Sequence, residues 1–69
     1  MTEQVEAALA RAEALLRELN AGREQLERLA EADEVDGDAV VEVISRLAEL
    51  AREIETELSR ARALADAPS

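Results

Sequence analysis

Cysteine, histidine, lysine and all three aromatic residues are missing from this chain of 69 residues. Without cysteine there is no disulfide framework and no thiol nucleophile, and the redox compartment leaves no trace. Without histidine the commonest metal ligand and the usual proton shuttle near neutral pH are gone. Without lysine, lysine-dependent chemistry is excluded. Without aromatics there is no stacking platform for bases or flat ligands. Proline occurs once, at Pro68, and glycine twice, at Gly22 and Gly37, so little interrupts a regular backbone. Small scaffolds usually need a disulfide, a metal or a partner chain to be stable. With the first two removed, oligomerisation or partner binding is the expected staple.

Positive charge is also scarce. Eight arginines stand against 17 acidic residues, for a net charge of −9. Nucleic-acid binders present a basic surface, so direct contact with nucleic acid is not expected. The same sign disfavours attachment to an anionic membrane. No apolar run approaches the length of a membrane span, and no signal peptide opens the chain, so a cytoplasmic protein is expected.

What is abundant is Ala, Leu, Glu and Arg, all strong helix formers. No useful stretch alternates with period 2, so strands are not expected. The apolar residues instead fall at heptad spacing. In the first half the columns are Val5, Ala12, Leu19, Leu26; then Ala8, Leu15, Gly22, Leu29; then Leu9, Leu16, Arg23, Ala30. Three adjacent columns predict a helix over about residues 3–32, packed on one side. Thr2 is a candidate N-cap, and Glu3 suits the first turn. Asn20-Ala21-Gly22 could end a helix, but the columns pass through Gly22 without a phase shift. A continuous helix with a local weak spot is the expectation.

The chain turns acidic at about residues 33–36, through Asp33, Glu34, Val35 and Asp36. Asp36 is a candidate N-cap for a second helix over about residues 37–65. Val35 and Val40 have the spacing of a hydrophobic staple, and Asp38 suits the first turn. The second-half columns are Val40, Leu47, Ile54, Ala61; then Ile44, Ala51, Leu58, Ala65; then Val43, Leu50, Glu57, Leu64. Residues 66–69 read as a frayed tail. Glu13 with Arg17, Glu24 with Arg28, and Glu42 with Arg46 stand at i, i+4 in the favourable order on solvated faces. The predicted fold is all-α: an antiparallel two-helix coiled-coil hairpin, completing a bundle by oligomerisation.

Catalytic equipment is hard to assemble from these residues. The hydroxyls are Thr2, Ser45, Thr56, Ser59 and Ser69, with no histidine or lysine to activate them. The helical pairs Glu49 with Glu53, and Glu53 with Glu57, read as solvated acidic faces, since acid–base work needs a pocket that shifts a pKa. A di-metal bundle site would want Glu-x-x-His. An EF-hand register with Gly37 at its sixth position puts Ala32 and Val43 at the two end-ligand positions, where oxygen ligands are required. No enzymatic activity, cofactor or metal is expected.

The functional signal is the apolar stripe. Near the turn the second helix carries Val40, Val41, Val43, Ile44, Leu47, Ala48, Leu50 and Ala51, four columns of seven. One partner helix needs less width. The extra column of Val41 and Ala48, beside Val40, Ile44, Leu47 and Ala51, is the candidate interface, since contiguous exposed apolar surface marks contact. Its expected occupant is a second copy, forming a four-helix bundle, or a larger protein partner. The chain reads as a non-catalytic, acidic interaction protein, acting by self-assembly or as an accessory or chaperone-like binder.

From Val5 to Gly22 the chain resembles the first helix of the exodeoxyribonuclease VII small subunit. The resemblance rests on Val5-Glu6, Leu9, Glu13, Leu15-Leu16, Leu19 and Gly22, with Leu26-Glu27 also fitting. It implies a short acidic two-helix hairpin without an active site, assembling with a large catalytic subunit. It covers about a quarter of the chain and ends after Ala30. The second helix has no counterpart to the family's aromatic-Glu-x-Gly segment, and the acidic turn resembles an insertion. Accessory subunit of a nuclease is therefore the alternative function.

Overall fold

The structure, a computed structural model, describes residues 2–67. It consists of two antiparallel helices, α1 (Thr2–Glu31) and α2 (Gly37–Asp66), each of 30 residues, joined by a loop over 32–36. No strand occurs among the described residues. The Cα extents of 57 × 14 × 10 Å are those of a ribbon one helix thick and two helices wide.

The helices begin and end for local reasons. Asp36 has φ −84° and ψ 100°, outside the helical region, and its side chain accepts the Ala39 N–H at 3.2 Å. Its carbonyl accepts the Val40 N–H at 3.0 Å, the first bond of α2. Asp36 thus caps α2 as the sequence predicts. Val35, the other half of the expected staple, stays exposed. At the far end the Ala67 N–H reaches back to the Leu64 carbonyl at 3.4 Å. Thr2 already lies inside α1, so it does not cap the helix from outside; helix ends commonly shift by a residue or two. Of the predicted tail, α2 runs on to Asp66, while Pro68 and Ser69 lie outside the described residues.

α1 is continuous through Gly22. The reason for a glycine there is interhelical. A Cβ on Gly22 would stand 2.7 Å from Leu47 Cδ2, closer than carbon atoms tolerate. The missing side chain lets Leu47 of α2 approach the α1 backbone. Gly22 has no positive φ, so its conformational freedom plays no part.

Two heptad columns of each helix form the seam between them. On α1 these are the Val5 and Ala8 columns, with Ala8, Ala12 and Leu15 buried and Val5, Leu19, Gly22, Leu26 and Leu29 half-buried. On α2 they are the Val40 and Val43 columns, with Val43, Leu50 and Ala61 buried and Leu50 only 1% exposed. Spacings of three and four residues between the two columns are those of a coiled-coil seam. The Leu9 column of α1 and the Ile44 column of α2 lie outside it. Here the structure departs from the three-column stripe read from sequence, because two helices alone cover two columns and leave the third bare.

Candidate interaction face

The seam divides the ribbon into two faces of opposite character. One is polar. Arg11 Nε lies 3.2 Å from Glu57 Oε1 across the seam, and Arg46 Nη2 lies 3.3 Å from Glu18 Oε2. Arg60 and Glu57, at 3.7 Å, and Arg46 and Glu49, at 3.4 Å, add pairs along α2. Shallow grooves on this side have charged rims, Arg11, Glu57 and Arg60 at one end and Glu18, Glu42 and Arg46 nearer the turn, over apolar floors that include Ala8 and Leu64, and Val43 and Leu50. All four ion pairs among the described residues belong to this face.

None of the three i, i+4 pairs expected from sequence is among them. Arg46, placed to meet Glu42, reaches Glu18 of the other helix and Glu49 of its own. A cross-seam carboxylate and a neighbour one turn away compete successfully with a pair that gains only a few tenths of a kcal/mol.

Glu57 is the second correction. Its place in the Val43 column buries it to 6% exposure, where sequence reading put it on a solvated acidic face. A buried carboxylate needs compensation. It comes from Arg11 and Arg60, whose guanidinium groups stay largely in water while meeting the same Oε1. No buried side-chain polar atom among the described residues lacks a partner. The signal in the sequence was Arg11 standing three residues after Ala8 of the seam, and Arg60 three residues after Glu57.

The other face is apolar and open. Leu9 (43% exposed), Leu16 (47%), Ile44 (51%) and Leu58 (48%) lie along it. Leu9, Ala12, Leu16, Ile54 and Leu58, with Glu13 at the edge, line one shallow groove, in which α1 and α2 contribute side by side. The two bare columns meet on one side because they hold the same heptad position. In an antiparallel pair, equivalent flanking positions of the two helices fall together.

Of the interface residues predicted from sequence, Val40 and Leu47 are half-buried in the seam. Ile44, Ala48 and Ala51 are exposed, and Val41 is the most exposed of the large apolar side chains, at 62%. Ile44 and Ala51 belong to the open face, while Val41 and Ala48 extend it around the outer edge of α2. Sequence reading missed the share of Leu9, Leu16 and Leu58, because it counted their columns toward the intrachain core.

Thr56 Oγ1 donates to the Arg52 carbonyl of its own helix at 3.0 Å. The turn carboxylates do not converge with others into a group suited to a metal ion among the described residues. Neither helix is long and apolar enough to cross a membrane. No protein-family model, curated protein or solved structure matches the chain.

Proposed function

We propose that this chain is a non-catalytic interaction protein of the cytoplasm that acts by pairing its open apolar face with a second copy, making a four-helix bundle. The observation that carries this reading is the row of Leu9, Leu16, Ile44 and Leu58, broken only by Arg23 and exposed on one side of a hairpin whose other side carries the ion pairs. Exposed area supports it. The chain exposes 5330 Å². A compact monomer of 7.5 kDa would expose about 4,200 Å². The difference, about 1,100 Å², is of the order that each partner buries in a stable interface, about 800 Å². Removing apolar surface from water at about 25 cal/mol per Å² favours association. A two-fold pairing is the commonest way for one patch to cover itself.

Sedimentation equilibrium of the purified chain tests the reading. A species of twice 7.5 kDa is the expected result. A chain that stays monomeric at high micromolar concentration overturns self-association. The resemblance of Val5–Gly22 to the nuclease small subunit then supplies the alternative occupant, a large catalytic subunit, and co-purification with such a subunit is its test.

A further inference from the structure

We infer that the two copies pair with their turns at opposite ends, α2 lying antiparallel on α2 of the other copy, with Ala51 at the two-fold axis. This rests on the self-association proposed above and adds its orientation. A two-fold dimer of stacked ribbons has two choices. An axis along the ribbon puts both turns at one end and lays α1 on the other copy's α2. An axis across the ribbon puts the turns at opposite ends and lays each helix on its own equivalent.

Charge separates the two. Glu31, Asp33, Glu34, Asp36 and Asp38 crowd the turn, and no basic residue occurs between Arg28 and Arg46. Same-end pairing would hold two such clusters about 10 Å apart, one interhelical spacing. That is close to the Debye length of about 8 Å at physiological ionic strength, so salt does not remove the repulsion. The open end mixes Arg11, Arg60 and Arg62 with Glu3, Glu6, Glu55, Glu57 and Asp66, so it is less acidic than the turn, and Arg62 makes no ion pair among the described residues. Opposite-end pairing brings Arg62 beside Asp38 of the other copy.

The apolar face fits the same axis. Ile44 and Leu58 stand seven residues on either side of Ala51, all three in one exposed column. An axis through Ala51 sets Ile44 of each copy on Leu58 of the other, and the small Ala51 on itself. At the same height of α1, Leu16 meets Leu16. Arg23, which interrupts the Leu9 column, lies with its stem over the other copy's Leu9, and its guanidinium reaches Glu6 or Glu13 beside it. The interruption that would otherwise break the apolar row becomes a charge pairing.

The test is a single spin label in the turn, and the lack of native cysteine makes it clean. Val35→Cys lies in the loop and is exposed, so a label there leaves both helices undisturbed. Pulsed dipolar spectroscopy of the full-length labelled chain should give one distance of about 48 Å, since Val35 lies sixteen residues from the axis at ~1.5 Å per residue. Ala63→Cys, twelve residues from the axis, should give about 36 Å by the same rise. A distance below about 25 Å at Val35, with the chain sedimenting as a dimer, would overturn this orientation and leave self-association standing. No dipolar modulation together with monomeric sedimentation would overturn both.

Discussion

The two faces of this hairpin are built on the same seam and the same heptad register, yet they have opposite fates. On one, Arg11, Glu18, Arg46 and Glu57 reach across and tie α1 to α2. On the other, Leu9, Leu16, Ile44 and Leu58 stand beside one another with nothing over them. Polar flanks satisfy themselves within the chain, because a long side chain can cross a seam and keep its charged end in water. Branched aliphatic flanks cannot, since two helices enclose only the two columns between them. A heptad with two apolar columns makes a finished pair of helices; a third column on both leaves an apolar face bare.

The largest test of this contrast is a charge on the open face. Ile44→Glu should weaken self-association at least about 100-fold, roughly 3 kcal/mol, because the carboxylate would be buried against Leu58 without a cation. Helix content should persist at high concentration, since Ile44 is half exposed in the single hairpin and Glu is a good helix former. Val41→Glu, at the outer edge of α2, should cost less than about tenfold. Sedimentation of the two variants side by side reads the order. A dimer that survives Ile44→Glu and falls apart with Val41→Glu would move the interface to the outer edge.

A smaller effect is expected on the closed face, and on a different quantity. Arg11→Ala leaves the buried Glu57 with only Arg60, at 3.7 Å. Breaking a buried pair costs up to several kcal/mol, but Arg11 itself is 67% exposed and solvent-screened. A loss of about 1–2 kcal/mol in folding stability follows. Glu57→Leu should go the other way, by about 1 kcal/mol, since an apolar residue there completes the Val43, Leu50, Leu64 column. Thermal denaturation at fixed concentration measures both. The dissociation constant should stay within a few-fold of the parent's in each, and a change as large as that from Ile44→Glu would show that the two faces are not independent.

Much of this could be read from the residues, and the rest shows where a single chain's pattern stops. Two helices, the acidic turn, the Asp36 cap and the passage through Gly22 all follow from local chemistry. The choice of seam on α2 does not. Val40 is flanked by both the Val43 and Ile44 columns, and a glutamate at position 57 argues against the first. Arg11, 46 residues away in sequence, makes that glutamate acceptable in the seam together with Arg60. The ion pairs were misread for the same reason. Spacing along one helix ranks local partners, whereas Arg46 found Glu18 across the hairpin.

Gly22 gives the finest test, because there two opposing terms nearly cancel. Replacing an interior helical glycine by alanine gains about 1 kcal/mol of intrinsic propensity. Against this, the new Cβ would meet Leu47 Cδ2 at 2.7 Å, so Leu47 must turn aside. An off-rotamer side chain costs about 0.5–1.5 kcal/mol. Leu47 sits one turn from both Ile44 and Ala51, so its way out is toward the open face. In the single hairpin Gly22→Ala should therefore change stability by less than about 0.5 kcal/mol, read by chemical denaturation at low concentration. In the proposed pair that space would be taken by the second copy, and the same substitution should weaken association several-fold. A loss above about 2 kcal/mol in the monomer would mean that Leu47 cannot move and that Gly22 holds the helices at a fixed separation. An unchanged dissociation constant would mean that the second copy does not reach Leu47.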